Sequence, residues 1–341
     1  MGHDSPRASL PAVHLLHLVE LLERYSVSQE SLFAGLPVDA AQLGEPSARL
    51  DIDLVNVLIA RARALSGEPG IGVLLGMQMR VSAHGFLGFA AMTAATLGDA
   101  LELSTRYVPT RTDALGLRLE RDGDGDGAAL IIDELVDLGE ARDAIVLALV
   151  VGLATIGTSL SGRLLPGEVE LAFPRPSYAD RMLGGGRGTL RFDRPDNRLR
   201  LPRSVLTTPI ALADPTSQRL AREQCERELA ALGEGALLLG QVQRLARHDA
   251  FTYRSVEQVA RLLGLSTRTL KRRLQSQGHS YSGVVDALRR ESATSLLRTP
   301  ELSIEQVAER LGYSDAANFT RAFKRWTGST PAAYRRRRMR P

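Results

Sequence analysis

The chain has 341 residues, 43 Lys+Arg against 39 Asp+Glu, and a single cysteine, Cys225. Its length predicts two or three domains, and its 44% hydrophobic and 24% charged residues are ordinary for a globular protein. One cysteine excludes an intrachain disulfide. No uninterrupted apolar stretch approaches the roughly 18 residues of a membrane span, and the start Met1-Gly-His-Asp-Ser-Pro-Arg lacks a signal-peptide pattern. The expectation is a cytoplasmic protein with no membrane partner.

The net charge of +4 is unevenly spread: residues 240–341 hold 20 Lys+Arg against 8 Asp+Glu, and the remaining 239 hold 23 against 31. A basic module joined to an acidic one is the footprint of a polyanion-binding domain beside a domain that avoids the polyanion.

In chain order, residues 1–12 read as a frayed lead-in. Leu15, Leu18, Val19 and Leu22 follow helical spacing and predict a helix over 13–25. Further helices are expected at 50–65 and 97–108, with Asp99 in the first turn of the latter, where its charge favours the helix dipole. Leu115–Arg121 and part of 129–135 alternate as strands around Asp122-Gly-Asp-Gly-Asp-Gly127. A long apolar helix is expected at 141–161, with strands at 169–173, 189–193 and 198–201. Residues 13–210 therefore read as an α+β domain. Pro202, Pro209 and Pro215 mark the way out of it. An amphipathic helix at 216–232 and a hinge at Gly233-Glu-Gly235 make 211–235 a helical linker to a basic, all-α module over 236–338.

That module contains one unit twice, 48 residues apart: Ser255-Val-Glu-Gln-Val-Ala-Arg-Leu-Leu-Gly-Leu-Ser266 and Ser303-Ile-Glu-Gln-Val-Ala-Glu-Arg-Leu-Gly-Tyr-Ser314. Ser255 with Gln258 and Ser303 with Gln306 predict capping boxes. Val259, Leu262 and Leu263, and Val307 with Leu311, predict buried stripes. Ala260 and Ala308 are small where two helices cross, and Gly264 and Gly312 fit the left-handed position that opens a tight turn. Ser266 and Ser314 are candidate caps for the helices that follow. Each unit reads as a helix-turn-helix, over about 255–276 and 303–326.

In the first second-helix, Leu270 and Leu274 face inward, leaving Arg268, Thr269, Lys271, Arg272 and Gln275 outward. In the second, Phe319, Ala322, Phe323 and Trp326 point inward, leaving Ala316, Ala317, Asn318, Arg321 and Arg325 outside. Arg bonds guanine O6 and N7, Asn reads adenine, and Ala packs on a thymine methyl. Serine stands four residues before the first core residue in one copy and five in the other, so the two helices are expected to differ in rotation. A helix over 283–297 joins the units. Thr330-Pro331 starts a last helix that carries Arg335–Arg338, a run read either as a solvated tail or as a phosphate contact.

The segment Gly312-Tyr-Ser-Asp-Ala-Ala-Asn-Phe-Thr-Arg-Ala-Phe-Lys-Arg-Trp-Thr-Gly-Ser-Thr-Pro-Ala-Ala-Tyr-Arg335 closely resembles the signature of the AraC/XylS family of bacterial transcription regulators. Leu265–Leu274 and Arg289–Leu297 fit the same family. Phe86–Leu101, Phe173–Tyr178, Leu190–Asp193 and Gln224-Cys-Glu resemble the arabinose-binding-type effector domain of the ornithine-utilisation regulator group. The label of that domain does not imply a sugar. The resemblance implies a seven-helix DNA-binding domain whose two recognition helices enter successive major grooves of promoter DNA. It implies base-reading positions at Arg268, Lys271 and Arg272, and at Ala316, Ala317, Asn318 and Arg321. Many relatives carry bulkier polar residues where this chain has Ala316 and Ala317, which points to an anchoring role for the second helix.

Other signals are weaker. Asp122–Gly127 begins like a calcium loop, but its twelfth position is Asp133 inside a strand. Gly184-Gly-Gly-Arg-Gly188 lacks the setting of a phosphate loop. His14 and His17 lack further metal ligands, and Cys225 has no adjacent base. No catalytic constellation, metal or cofactor is expected. The reading is a sequence-specific regulator, an activator by family habit, that senses an unknown small-molecule effector through 13–210. RNA polymerase and a second copy of the chain are compatible partners. An enzyme tethered to DNA and an architectural binder without ligand stay open as alternatives.

Overall fold

The structure is a computed structural model and describes residues 8–36, 38, 48–121, 127–183, 189–247, 252–276, 279–297 and 302–338. The Asp122–Gly127 motif, apart from its last glycine, and Gly184–Gly188 lie outside the described residues. The chain divides into two compact units, Met1–Ala231 and Leu232–Pro341.

The first unit opens with β1 (Ser9–Pro11), which pairs antiparallel with β2 (Arg49–Asp51), so the end of the expected frayed lead-in is ordered by strand pairing. Helices α1 (Val13–Glu23), α2 (Gln29–Phe33), α3 (Ile52–Ser66), α4 (Ile71–Met77), α5 (Gly85–Met92) and α6 (Leu97–Tyr107) follow. Local chemistry starts three of them: Ser28 Oγ accepts from Ser31 N at 3.2 Å, the Asp51 carboxylate accepts from Leu54 N at 2.8 Å, and Thr96 with Asp99 closes a capping box. Next come β3 (Leu115–Arg121), β4 (Gly127–Glu134), α7 (Arg142–Ser161), β5 (Glu168–Glu170), α8 (Ala179–Leu183), β6 (Thr189–Arg191), β7 (Asn197–Pro202), α9 (Arg203–Leu206) and α10 (Pro215–Ala231). The sheet order is β3-β4-β7-β5-β6, with only the β5–β6 pair parallel.

Strand β4 is buried along seven of its eight residues, which explains its nearly continuous apolar run. Asp133 within it is held by the Arg118 guanidinium at 2.7 and 3.0 Å, which uses the carboxylate that a calcium loop would need. Helix α7 is long and apolar enough to cross a membrane by length and composition. Here it packs along α4, where Gly72 leaves room for the Ala144 backbone and Gly76 for Val151. Its N-terminus is tied by charge: Arg142 pairs with Glu134 at 2.8 Å, and Asp143 takes Arg63 at 2.7 Å and the Tyr178 hydroxyl at 2.5 Å. Helix α10 packs on α5 and sinks Ala221 and Cys225 into the core. Tyr107 OH and Arg106 both hold Glu226 of α10, at 2.5 and 2.7 Å.

The second unit is all helical: α11 (Gly233–Ala246), α12 (Val256–Leu262), α13 (Thr267–Gln275), α14 (Tyr281–Leu297), α15 (Ile304–Arg310), α16 (Ala316–Thr327) and α17 (Pro331–Arg338). Gly233 to Gly235, the expected hinge, fall in the first turn of α11. The first unit thus mixes helices with sheets and the second is a helical double helix-turn-helix.

Candidate nucleic-acid interface

Two small cores hold the second unit, and α14 serves both. Val284, Val285 and Leu288 from its first half join Val242, Val259, Leu270 and Leu274. Ala293, Leu296 and Leu297 from its second half join Val307, Leu311, Phe319 and Phe323. At 1.5 Å per residue, 17 helical residues make a spine of roughly 26 Å between the two helix-turn-helix units. Tyr253 OH fastens the loop before α12 to this spine through Ser292 Oγ at 2.8 Å and the Leu288 carbonyl at 3.1 Å. Arg335 Nε donates to the carbonyl of Leu297 at 3.2 Å, a cation on the C-terminus of α14.

Ser255 caps α12 and Ser303 caps α15, each with a complete capping box closed by Gln258 or Gln306. Ala260 and Ala308 are buried where the helices of each pair meet. Gly264 and Gly312 have φ of +65° and +77°, a conformation that costs any residue with a Cβ about 1 kcal/mol or more.

The structure departs from the sequence expectation at three points: Leu262, the cap of α16 and the relative rotation of the two second helices. Leu262 is 56% exposed and lies outside the buried stripe; the repeat places it opposite Arg310, the solvent position of α15. Ser314 is not the cap of α16. Asp315 is, and its carboxylate accepts from Asn318 N at 2.6 Å. Ser266 does cap α13, accepting from Thr269 N at 3.1 Å. Counted from the observed caps, the first core residue is four positions on in both helices: Leu270 after Ser266, Phe319 after Asp315. The extra residue lies in the turn, and the two helices are in phase.

This register aligns the outward residues pairwise. Arg272 corresponds to Arg321, Arg268 to Ala317 and Thr269 to Asn318. Arg268, Lys271, Arg272, Ala317 and Arg321 are exposed, and Ala316 is half-buried. Thr269 and Asn318 are both engaged by their caps: Thr269 Oγ1 lies 2.8 Å from Ser266 Oγ, and Asn318 Nδ2 donates to Asp315 Oδ2 at 2.6 Å and Ser314 Oγ at 2.9 Å. Asn318 Oδ1 in turn accepts from Arg321 at 2.5 Å. Asn318 must therefore exchange these bonds before its amide can meet a base. Arg325 faces the spine and pairs with Asp286 of α14 at 3.1 Å. The Asn318 N–H that it caps, with the Ser314 hydroxyl, holds the Asp315 carboxyl below its ordinary range, so the group is an anion at neutral pH.

Two capped helix pairs on one spine, each with a basic second helix, define a double helix-turn-helix DNA-binding domain joined to an α+β domain. Residues 27–210 match the family described as the arabinose-binding domain of AraC transcription regulators, and 259–337 match a helix-turn-helix domain family. The chain is 36% identical over 327 residues to the ornithine utilization regulator of Pseudomonas aeruginosa, covering 96% of each protein. It is 30% identical over 363 residues to the HTH-type transcriptional regulator Rv1395 of Mycobacterium tuberculosis, covering 99% of this chain and all of that one. The crystal structure of the regulator CdpR from Pseudomonas aeruginosa covers 95% of this chain at 25% identity and a TM-score of 0.47. The chain belongs to the AraC family of transcription regulators, with an N-terminal effector domain and a C-terminal DNA-binding domain.

Proposed function

We propose that the protein is an effector-responsive transcription activator that acts in the cytoplasm and has no catalytic role. Its two recognition helices, α13 and α16, enter successive major grooves on one face of promoter DNA. The observation that carries this reading is the common phase of the two helices on one spine. Arg272 and Arg321 occupy the same position of each helix, where a guanidinium reaches guanine bidentately. Arg268 adds a second reader four residues earlier on α13, where α16 has Ala317, so α13 discriminates more and α16 anchors more. Lys271, Thr269, Ala316 and Asn318 complete the base-facing set, and Arg325 positions α16 against α14 when it is not on phosphate.

The effector domain spans 13–210, the 211–235 segment carries the signal, and 236–338 binds DNA. Effector binding reaches the DNA-binding domain through α10, which ends at Ala231, two residues before α11 begins at Gly233. RNA polymerase is the partner that activation requires, and a second copy of the chain docks through the N-terminal domain. The first relative's role in ornithine utilization makes an amino-acid metabolite the first effector class to screen. Binding of the full chain to its own upstream region, followed by fluorescence anisotropy across a salt series, tests the reading. Sequence preference together with an affinity that falls steeply with salt supports it; binding without sequence preference defeats it.

A further inference from the structure

The first unit contains a group of side chains that neither its core nor its surface ion pairs use. His14 and His17 lie on α1, His84 is the residue before α5, and Arg111 follows the turn after α6. The rings run in a row, with 5.4 Å between the centroids of His84 and His14 and 6.4 Å between those of His14 and His17. His14 Nδ1, His84 Nε2 and Arg111 Nε are sealed from solvent and have no hydrogen-bond partner. Among the described residues the guanidinium makes one hydrogen bond, to the Ala83 carbonyl at 3.5 Å, and no carboxylate lies within ion-pair distance of it. Glu228 and Cys225 on α10, and Arg49, act on it only through space.

A half-buried guanidinium without a counter-ion, beside two orphaned imidazole nitrogens, is a costly arrangement that calls for a missing partner. The fixed positive charge of Arg111 repels a metal ion, and no cluster able to hold one exists among the described residues. An anion fits the same groups, because protonated imidazoles and the guanidinium are all donors. Gly85 beside it has φ +57°, a conformation that favours glycine. Glu20 and Arg80, which act on His17 through space, help line a recess of about 310 Å³ with Arg24, Met77, Gln78 and Met79, a volume suited to a small metabolite.

We propose that His14, His84 and Arg111 form the anion-binding end of the effector site, and that the effector is a small metabolite carrying a carboxylate. The guanidinium and the imidazoles hold the carboxylate. This assignment rests on the effector role of the domain. Without ligand, burial and neighbouring positive groups keep the imidazoles neutral. His14 is pushed down to about 3 by burial and by His84, His17 and Arg111, and His84 down to about 4 by burial, Arg111 and His17. His17 is lowered by burial and Arg80, with Glu20 opposing. A bound carboxylate reverses that field, so binding takes up protons and tightens as pH falls.

Calorimetry on the full chain tests this, with succinate, L-ornithine and L-arabinose as probes, at pH 7.5 and 6.0 in buffers of different ionisation enthalpy. At least one of the two carboxylates is expected to bind with proton uptake, at least about threefold tighter at pH 6.0, while L-arabinose does not bind. Arg111→Gln, checked for folding by circular dichroism, should weaken the binding by about tenfold or more, with Arg111→Lys between it and the parent. No millimolar binding of either carboxylate overturns the proposal, as does carboxylate binding without proton uptake in the unmutated protein. Binding of L-arabinose that alters affinity for promoter DNA overturns this site while leaving the effector role standing. The absence of any ligand effect on DNA binding, despite carboxylate binding at Arg111, supports the site and defeats the effector role.

Discussion

Acidification from pH 7.5 to 5.5 should destabilise the first unit through its histidines. The folded pKa values of His14 and His84, about 3 and about 4, lie below the ordinary 6.5, so both rings stay neutral in the fold. The unfolded chain binds protons below pH 6.5 that the folded chain refuses. Stability is therefore complete above that pH and is lost as pH falls toward the folded values. At pH 5.5 each ring withholds about 1.4 kcal/mol, and two give nearly 3 kcal/mol. Partial solvent contact at the ring edges reduces this to roughly 2 kcal/mol. Carboxylates contribute little in this window, because their ordinary values lie near 4. Urea titrations of the ligand-free chain by far-UV circular dichroism measure the effect. The single tryptophan, Trp326, lies in the second unit and serves as an internal control. The first-unit midpoint should fall at pH 5.5, and the double variant His14→Gln/His84→Gln should flatten that dependence. A first-unit midpoint that is constant or rises toward acid refutes the reasoning.

Further outcomes follow from the second unit. Arg272→Ala should weaken promoter binding by about 1–3 kcal/mol and relax preference at one base pair; an unchanged anisotropy isotherm removes Arg272 from the readers. Phe323 is fully buried, with its ring centroid 5.4 Å from that of Tyr334 and 5.7 Å from that of Phe319, so Phe323→Ala should cost about 3–5 kcal/mol in a denaturation midpoint monitored at Trp326. A loss below about 1 kcal/mol would contradict the packing described. Gly312→Ala should cost about 1–2 kcal/mol because of its positive φ, whereas Leu262→Arg, which copies Arg310 at an exposed position, should stay within about 0.5 kcal/mol.

The parts of the second unit governed by local chemistry were legible. Ser255, Gln258 and Gly264, and their copies, act within one helical turn, so their order in the chain carries the geometry. At α16 the sequence offers two good caps, Ser314 and Asp315, and the repeat favours the serine. The signal was present: counting back four residues from Phe319, as Ser266 precedes Leu270, lands on Asp315. Leu262 is apolar and sits beside the buried stripe, and only its partner in the repeat, Arg310, marks the position as exposed. The α+β class of the first unit was visible in the alternation at 115–121 and the apolar run at 141–161. Its histidine–arginine group was not, because residues 14, 84 and 111 meet only through the packing of α1 against the turns that flank α5 and α6. No spacing rule joins positions so far apart in the chain.

The central claim is that one chain places α13 and α16 in successive major grooves. Methylation interference at guanine N7, with the full chain on its own upstream DNA, tests it directly. The account predicts two clusters of interfering guanines about 10 base pairs apart on one face of the duplex, with Arg272→Ala and Arg321→Ala each erasing a different cluster. A single cluster, or two that disappear together in either variant, would contradict it.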